Sequence, residues 1–177
     1  MLTITIPEGE LFRDATQEFV TVPAQTIQME HSLISISKWE SMYHEPFLTI
    51  KQKTKAQTLD YFRCMCITSG VNPLVWSNIS PEITKTIVAY MNDPMTATTI
   101  KRPEKSGPKR SQVLTSELIY SYMAQFGIPF TCEKWHINRL LTLIRVCDAK
   151  QEAPKKMSPK ETMAQHRAIN AARRGRR

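Results

Sequence analysis

The sequence predicts a mainly helical α+β fold: a small N-terminal β-hairpin or sheet, then a helical bundle, then an extended basic C-terminal helix or arm. Three observations predict it. Apolar and polar residues alternate near the start, as at Leu2, Ile4 and Ile6. From Ser32 onward the apolar residues recur at spacings of three and four, in segments framed by capping residues and prolines. Beyond Ala153-Pro154 the apolar content thins and basic residues dominate. At 177 residues, 41% apolar and 23% charged, the chain suits one globular domain with appendages. The expected organisation is a single mixed domain over 1–149, β-rich over 1–30, helical over 31–100, with a basic loop at 101–110 and a helical hairpin at 115–148. A basic arm over 150–177 follows.

The strands come first. Leu2, Ile4 and Ile6 alternate, Phe19-Val20-Thr21-Val22 is rich in β-formers and bounded by Pro23, and Gly9 and Asp14 supply turns. The hairpin continues into Gln25–Met29. Leu33, Ile36, Trp39 and Tyr43 then share one helical face until Pro46, although alternation at Leu33/Ser35 also suits a strand. Thr54-x-x-Gln57 has the form of a capping box, opening a helix with Leu59, Phe62 and Cys66 on one face and Gly70 as its stop. Ser80-Pro81-Glu82 reads as an N-cap with proline at the first helical position. Ile83, Ile87, Tyr90 and Met91 form that helix's apolar face before Asp93-Pro94 ends it. Residues 101–110, with two prolines and a glycine, read as a solvated loop. Thr115 or Ser116 caps a helix closed by Gly127, and Ile137, Leu140, Leu141, Ile144 and Cys147 mark a longer helix over 131–148 that should pack antiparallel to it. Ser158-Pro159-Lys160-Glu161 caps a weak last helix containing Met163, Ala164, Ala168 and Ile169, with too little apolar surface to fold on itself.

Charge is segregated. Residues 150–177 hold nine Lys/Arg against two Glu, a net +7 of the chain's +8. Residues 101–110 hold five Lys/Arg against one Glu, which leaves the rest at −3. A charge run is often only a solvated segment. Seven net charges on one terminal arm nevertheless suffice to bind an acidic protein face or a phosphate backbone with strong salt dependence. The candidate partner-binding residues are therefore Lys155, Lys156, Lys160, Arg167, Arg173, Arg174, Arg176 and Arg177 in the arm, with Lys101, Arg102, Lys109 and Arg110 in the loop. No apolar run reaches the length of a membrane span, and the N-terminus lacks a signal-peptide pattern, so a soluble cytoplasmic protein is expected. Four cysteines are few for a disulfide scaffold and are expected to be reduced and buried.

The standard catalytic patterns are missing: no glycine-rich phosphate loop, no Gly-x-Ser-x-Gly elbow and no His-Glu-x-x-His pair occur. Cys64-x-Cys66 on a helix would diverge by about 200° and could not close on one ion. Cys132 and His136, four apart, are the better pair, but zinc needs two further ligands that the pattern does not nominate, and a buried thiol beside a backbone-bonded histidine explains them as well. His31 and His44 would form an acid–base pair only if folding joined them to Glu30, Glu40 or Glu45. Trp39, Trp76 and Trp135 fit a core better than an aromatic binding surface. Neither a cofactor nor a metal is expected, nor an enzyme.

The segments Glu30–Glu40, Pro46–Leu48, Thr58–Met65, Asp93–Thr98, Glu117–Tyr120, Pro129–Leu141 and Asn170–Arg174 resemble those of a family of structural and tail-morphogenesis proteins of tailed bacteriophages. The resemblance spans nearly the whole chain, and Trp135-His136-Ile137-Asn138-Arg139-Leu140-Leu141 is its most specific stretch. It is most like the tail assembly chaperones. That implies a non-enzymatic protein, without catalytic residues, that coats the tape measure protein before the tail tube polymerises. The implied partners are the tape measure or tail and connector subunits, further copies of the chain, or nucleic acid through the basic arm, with no membrane. The implied location is the host cytoplasm or the virion. The alternatives are a retained virion component, such as a head–tail connector or completion protein, and a nucleic-acid-binding protein. Flexible methionines suit adaptable binding surfaces, and Met42, Met91, Met95, Met123, Met157 and Met163 are the candidates.

Overall fold

A computed structural model describes residues 1–13, 17–50, 52–99, 113–151, 163–164 and 166–167. The chain divides into two units, Met1–Val146 and Cys147–Arg177. The first carries four strands, β1 (Leu2–Ile6), β2 (Gly9–Arg13), β3 (Glu18–Val22) and β4 (Gln25–Met29), and the helices α1 (Leu33–Tyr43), α2 (Lys55–Met65), α3 (Pro81–Asn92) and α4 (Ser116–Gln125). Two 3-10 segments, Pro73–Asn78 and Phe130–Lys134, interleave with them, and α5 spans Ile137–Gln151. The fold is thus mainly helical α+β, with the strands first.

The hairpin is split into two antiparallel pairs, β1 with β4 and β2 with β3, in one nested register that runs from Leu2 opposite Met29 to Arg13 opposite Glu18. The break falls at Pro7-Glu8 and Pro23-Ala24, where proline has no N–H to give the ladder. Ile4, Ile6, Ile27 and Met29 point into the core, whereas Phe12 and Phe19 remain exposed. Asn78 donates to the Pro7 carbonyl at 2.8 Å and lies where a Cβ at Gly9 would stand. A side chain there would displace this tie.

The helices α1 to α4 begin where their capping residues dictate. Ser32 accepts from Ser35 N–H, Ser80 from Ile83 N–H and Thr115 from Leu118 N–H, and Thr54 and Gln57 form the reciprocal capping box. At its other end α4 closes in a Schellman motif: Ile128 N–H reaches Met123 O at 2.8 Å and Gly127 N–H reaches Ala124 O at 3.2 Å, with Gly127 at φ 64°.

The expected helix over 131–148 is divided. Trp135 is extended after the Phe130–Lys134 turn and His136 forms an isolated bridge with Ser32, so α5 begins only at Ile137, whose N–H bonds His31 O at 2.7 Å. Long-range pairing with the 30–32 segment overrides local helix periodicity here. The same segment stops α2 early. Met29 bridges Cys66 and Glu30 N–H bonds Met65 O at 2.9 Å, and Gly70 turns the chain only afterwards. The main helical neighbour of α4 is α1, which also packs on α2. The core gathers Leu33, Ile36 and Trp39 of α1, Tyr61 and Met65 of α2, Ile119 and Met123 of α4, and Ile137 and Leu140 of α5 around β1 and β4.

Trp39 and Trp76 are core residues as expected, but Trp135 is half-buried, its ring lying 4.2 Å from the Arg139 guanidinium. Of the cysteines only Cys132 is buried; Cys64, Cys66 and Cys147 are partly exposed, because Cys66 lies past the end of α2 and Cys64 turns off its buried face. Among the described residues no helix is long and apolar enough to cross a membrane.

Candidate docking groove between α2 and α3

Most of the basic residues nominated from the sequence lie outside the described residues: Lys101, Arg102, Lys109 and Arg110 of the loop, and Lys155, Lys156, Lys160, Arg173, Arg174, Arg176 and Arg177 of the arm. Arg167 is helical and exposed, as is Met163. Among the other candidate methionines, Met123 is core, Met42 is exposed, Met91 and Met95 are half-buried, and Met157 lies outside the described residues.

The nominated histidines meet different partners from those expected. His44 ends α1 in the left-handed conformation and is exposed. His31 is buried and hydrogen-bonds through Nδ1 to the Tyr61 hydroxyl, with the His136 ring edge-on at 5.1 Å between centroids. Burial first, then His136 and Lys53 beside it, holds the His31 imidazole down at about 3. His136 Nδ1 accepts from Asn138 N–H, so its Nε2 carries the proton donated to Tyr90 O at 3.1 Å. Burial lowers the His136 pKa as well. Both histidines are thus neutral pins between β4, α2, α3 and α5. Among the described residues no three His, Cys, Asp or Glu side chains gather to hold a metal ion.

Glu40 is a buried ionisable group on α1. Its Oε1 accepts Phe47 N–H at 2.9 Å and its Oε2 accepts Ser116 N–H at 2.8 Å, so it closes the 44–47 turn and complements the N-terminus of α4. Both oxygens serve the fold.

Lys53 differs. It sits in the connection before α2, half-buried, with Nζ 4.1 Å from the Phe47 ring centroid and 5.9 Å from that of Trp39. Nζ donates to Phe47 O at 2.8 Å and Ile50 O at 3.1 Å. Among the described residues no carboxylate forms an ion pair with it. Desolvation lowers its pKa.

This ammonium lies where two cavities meet. One, of about 500 Å³, is lined by residues including Phe47, Phe62, Val88 and Met91; the other, of about 520 Å³, by residues including Leu59, Phe62, Trp76 and Thr84. Lys53, Thr58 and Phe62 line both, so the two adjoin along one groove-like face. Its walls are α2 and α3. The first packs mainly on α1 and the second on β1, and among the described residues a space remains between them. The apolar face expected on α3 is accordingly only partly covered. Ile87 is fully buried, Ile83, Tyr90 and Met91 are half-buried, and Val88 is 40% exposed. Asn138 fixes the end of the α3 wall, donating to Met91 O at 3.1 Å and Asp93 O at 2.7 Å.

The sequence reading passed over Lys53 and Val88. Lys53 is one of several lysines near Lys51 and Lys55, and only the fold sets it over two aromatic rings. Val88 lies just off the face marked by Ile83, Ile87 and Tyr90, and its spacing from Thr84 carried no distinct signal.

Comparison of the chain with protein-family models, curated proteins and solved structures finds no match.

Proposed function

We propose that this chain is a non-enzymatic assembly protein of a tailed bacteriophage, a tail assembly chaperone that binds the tape measure protein in the host cytoplasm while the tail forms. The observation that carries the reading is the groove between α2 and α3. Thr84, Val88 and Met91 line it at helical spacing, and by the 1.5 Å rise per residue they span about 10 Å. That length suits the apolar stripe of a partner helix, which is read by anchors at i, i+3, i+4 and i+7. The family resemblance of the sequence points to such a partner, a long helical protein whose stripes must be covered until assembly. The buried ionisable groups His31, Glu40 and His136 bond within the fold, which fits a protein working by contact rather than chemistry.

The +7 charge of residues 150–177 favours a second reading, a virion component whose arm touches DNA or a neighbouring subunit. Mass spectrometry of purified, nuclease-treated particles beside infected-cell lysate separates the two. Abundance in lysate with absence from particles is expected of the chaperone; a fixed copy number in particles overturns it in favour of the virion component.

A further inference from the structure

We infer that the α2–α3 groove selects a partner helix bearing one carboxylate flanked by aliphatic side chains, with Lys53 as the group that reads the carboxylate. This rests on the assembly reading and names the chemistry of the partner segment. The apolar side chains of the groove, Phe47, Leu59, Phe62, Val88 and Met91 among them, would alone accept any amphipathic helix. Lys53 changes that, because it lines both cavities, half-buried, and sets a positive charge among side chains that are apolar (Phe47, Phe62, Val88, Met91) or uncharged and polar (Thr58, Asn138), with Lys55 also lining the second cavity. Its Nζ has three N–H donors, and among the described residues two carbonyl oxygens, those of Phe47 and Ile50, accept from it. Those carbonyls and the Phe47 and Trp39 rings orient the ammonium without neutralising it. A helix laid in the groove with a neutral or basic residue at this point would desolvate an unpaired cation further. One with Asp or Glu there would complete the pair in a half-dry setting, where charge-assisted hydrogen bonds are strongest.

The side chains on either side set the flanks. Val88 and Met91 face one cavity, and Leu59 and Trp76 face the other. An aliphatic residue three or four positions before the carboxylate and another three or four after it would seat one in each. The specificity is therefore of the aliphatic-acid-aliphatic kind, with rejection of a central lysine as its negative component.

The full chain is tested against an array of peptides about 20 residues long, enough for a helix of some five turns. The peptides tile the tape measure protein encoded with it, and those retained are measured by fluorescence anisotropy. The retained peptides are expected to carry Asp or Glu between aliphatic residues. Changing that acid to its amide should weaken binding about tenfold, the size of one charge-assisted contact. Lys53→Met should weaken it similarly, and Lys53→Glu should restore preference for a peptide whose acid is replaced by lysine. Val88→Asp, which leaves Lys53 and its turn untouched, should abolish binding of all of them.

Retention of peptides without a central acid, binding indifferent to Lys53→Met and Val88→Asp, or no retention at all would each overturn the inference. The particle measurement fails separately. An empty array beside a chain abundant in lysate and absent from particles removes the groove's selectivity and leaves the chaperone. Acid-dependent retention beside a fixed copy number in particles keeps the groove and removes the chaperone.

Discussion

Glu40 and Lys53 are each a charged side chain held by backbone groups, one at the junction of α1 and α4 and the other beside the groove between α2 and α3. At the first, both carboxylate oxygens accept backbone N–H groups, from Phe47 and Ser116, and the residue is 92% removed from solvent. At the second, the ammonium meets two carbonyls and two rings and no carboxylate pairs with it among the described residues, while a cavity adjoins each of the two residues. The contrast separates a charge consumed by folding from one left for a partner. The first kind costs much to remove, because its bonding groups are stranded in the core. The second costs little in stability and much in binding.

The largest effect should come from breaking the consumed charge. Glu40→Ala leaves the Phe47 and Ser116 N–H groups without their acceptor and should lower stability by about 3 to 5 kcal/mol, read by urea denaturation. A loss under about 1 kcal/mol would mean that both sites are alike.

Acid should act next, through the histidines between the two sites. The unfolded chain takes up a proton at His31 near pH 6.5, the imidazole's ordinary value, whereas the folded chain refuses it until about 3. The stabilisation from neutral His31 is therefore present above about pH 6.5 and is lost as pH falls toward 3, and lowered His136 acts in the same direction. Melting temperature should fall through this window, less steeply in His31→Gln, as followed by circular dichroism.

A third test compares rings under cations. Trp39, fully buried beneath Lys53, should cost about 3 to 5 kcal/mol on change to alanine. Trp135, half-buried under Arg139, should cost about 1 to 2 kcal/mol. Equal losses would show that exposure does not separate them.

Caps offer a smaller lever. Thr115→Ala removes the side-chain acceptor of the α4 N-terminus that Glu40 also serves, and should cost about 1 kcal/mol by thermal melting. Smallest of all, Lys53→Met should change stability by about 0.5 kcal/mol or less, because the methionine keeps the apolar stem over Phe47. A loss on the scale of Glu40→Ala would make Lys53 a fold residue and collapse the comparison.

Much of the fold was legible in the residues, and for local reasons. Thr54-x-x-Gln57, Ser80-Pro81 and Thr115 set helix starts because a capping side chain bonds an N–H only three residues on. Alternation at Leu2, Ile4 and Ile6 and the β-rich Phe19–Val22 run bounded by Pro23 carried the hairpin. The reading failed at Trp135-His136 and at Cys66, where a pairing partner about one hundred and about forty residues away, Ser32 and Met29, overrode helical spacing. It also missed the turn at Pro73–Asn78, where Asn72 caps a 3-10 segment that buries Trp76.

The sequence by itself determined the helix starts, the strand alternation and the segregation of positive charge onto 101–110 and 150–177, because each depends on neighbours within a turn or on composition alone. Only the tertiary structure decided which charges were satisfied. Glu40 and Lys53 stand thirteen residues apart in the chain, and the nearest to a distinction between them in the sequence is the sign of their charge. What separates them is that folding brings two backbone N–H groups, those of Phe47 and Ser116, to one, and two carbonyls and two aromatic rings to the other. Electrostatic satisfaction is a property of distances in space, which spacing along a chain does not encode.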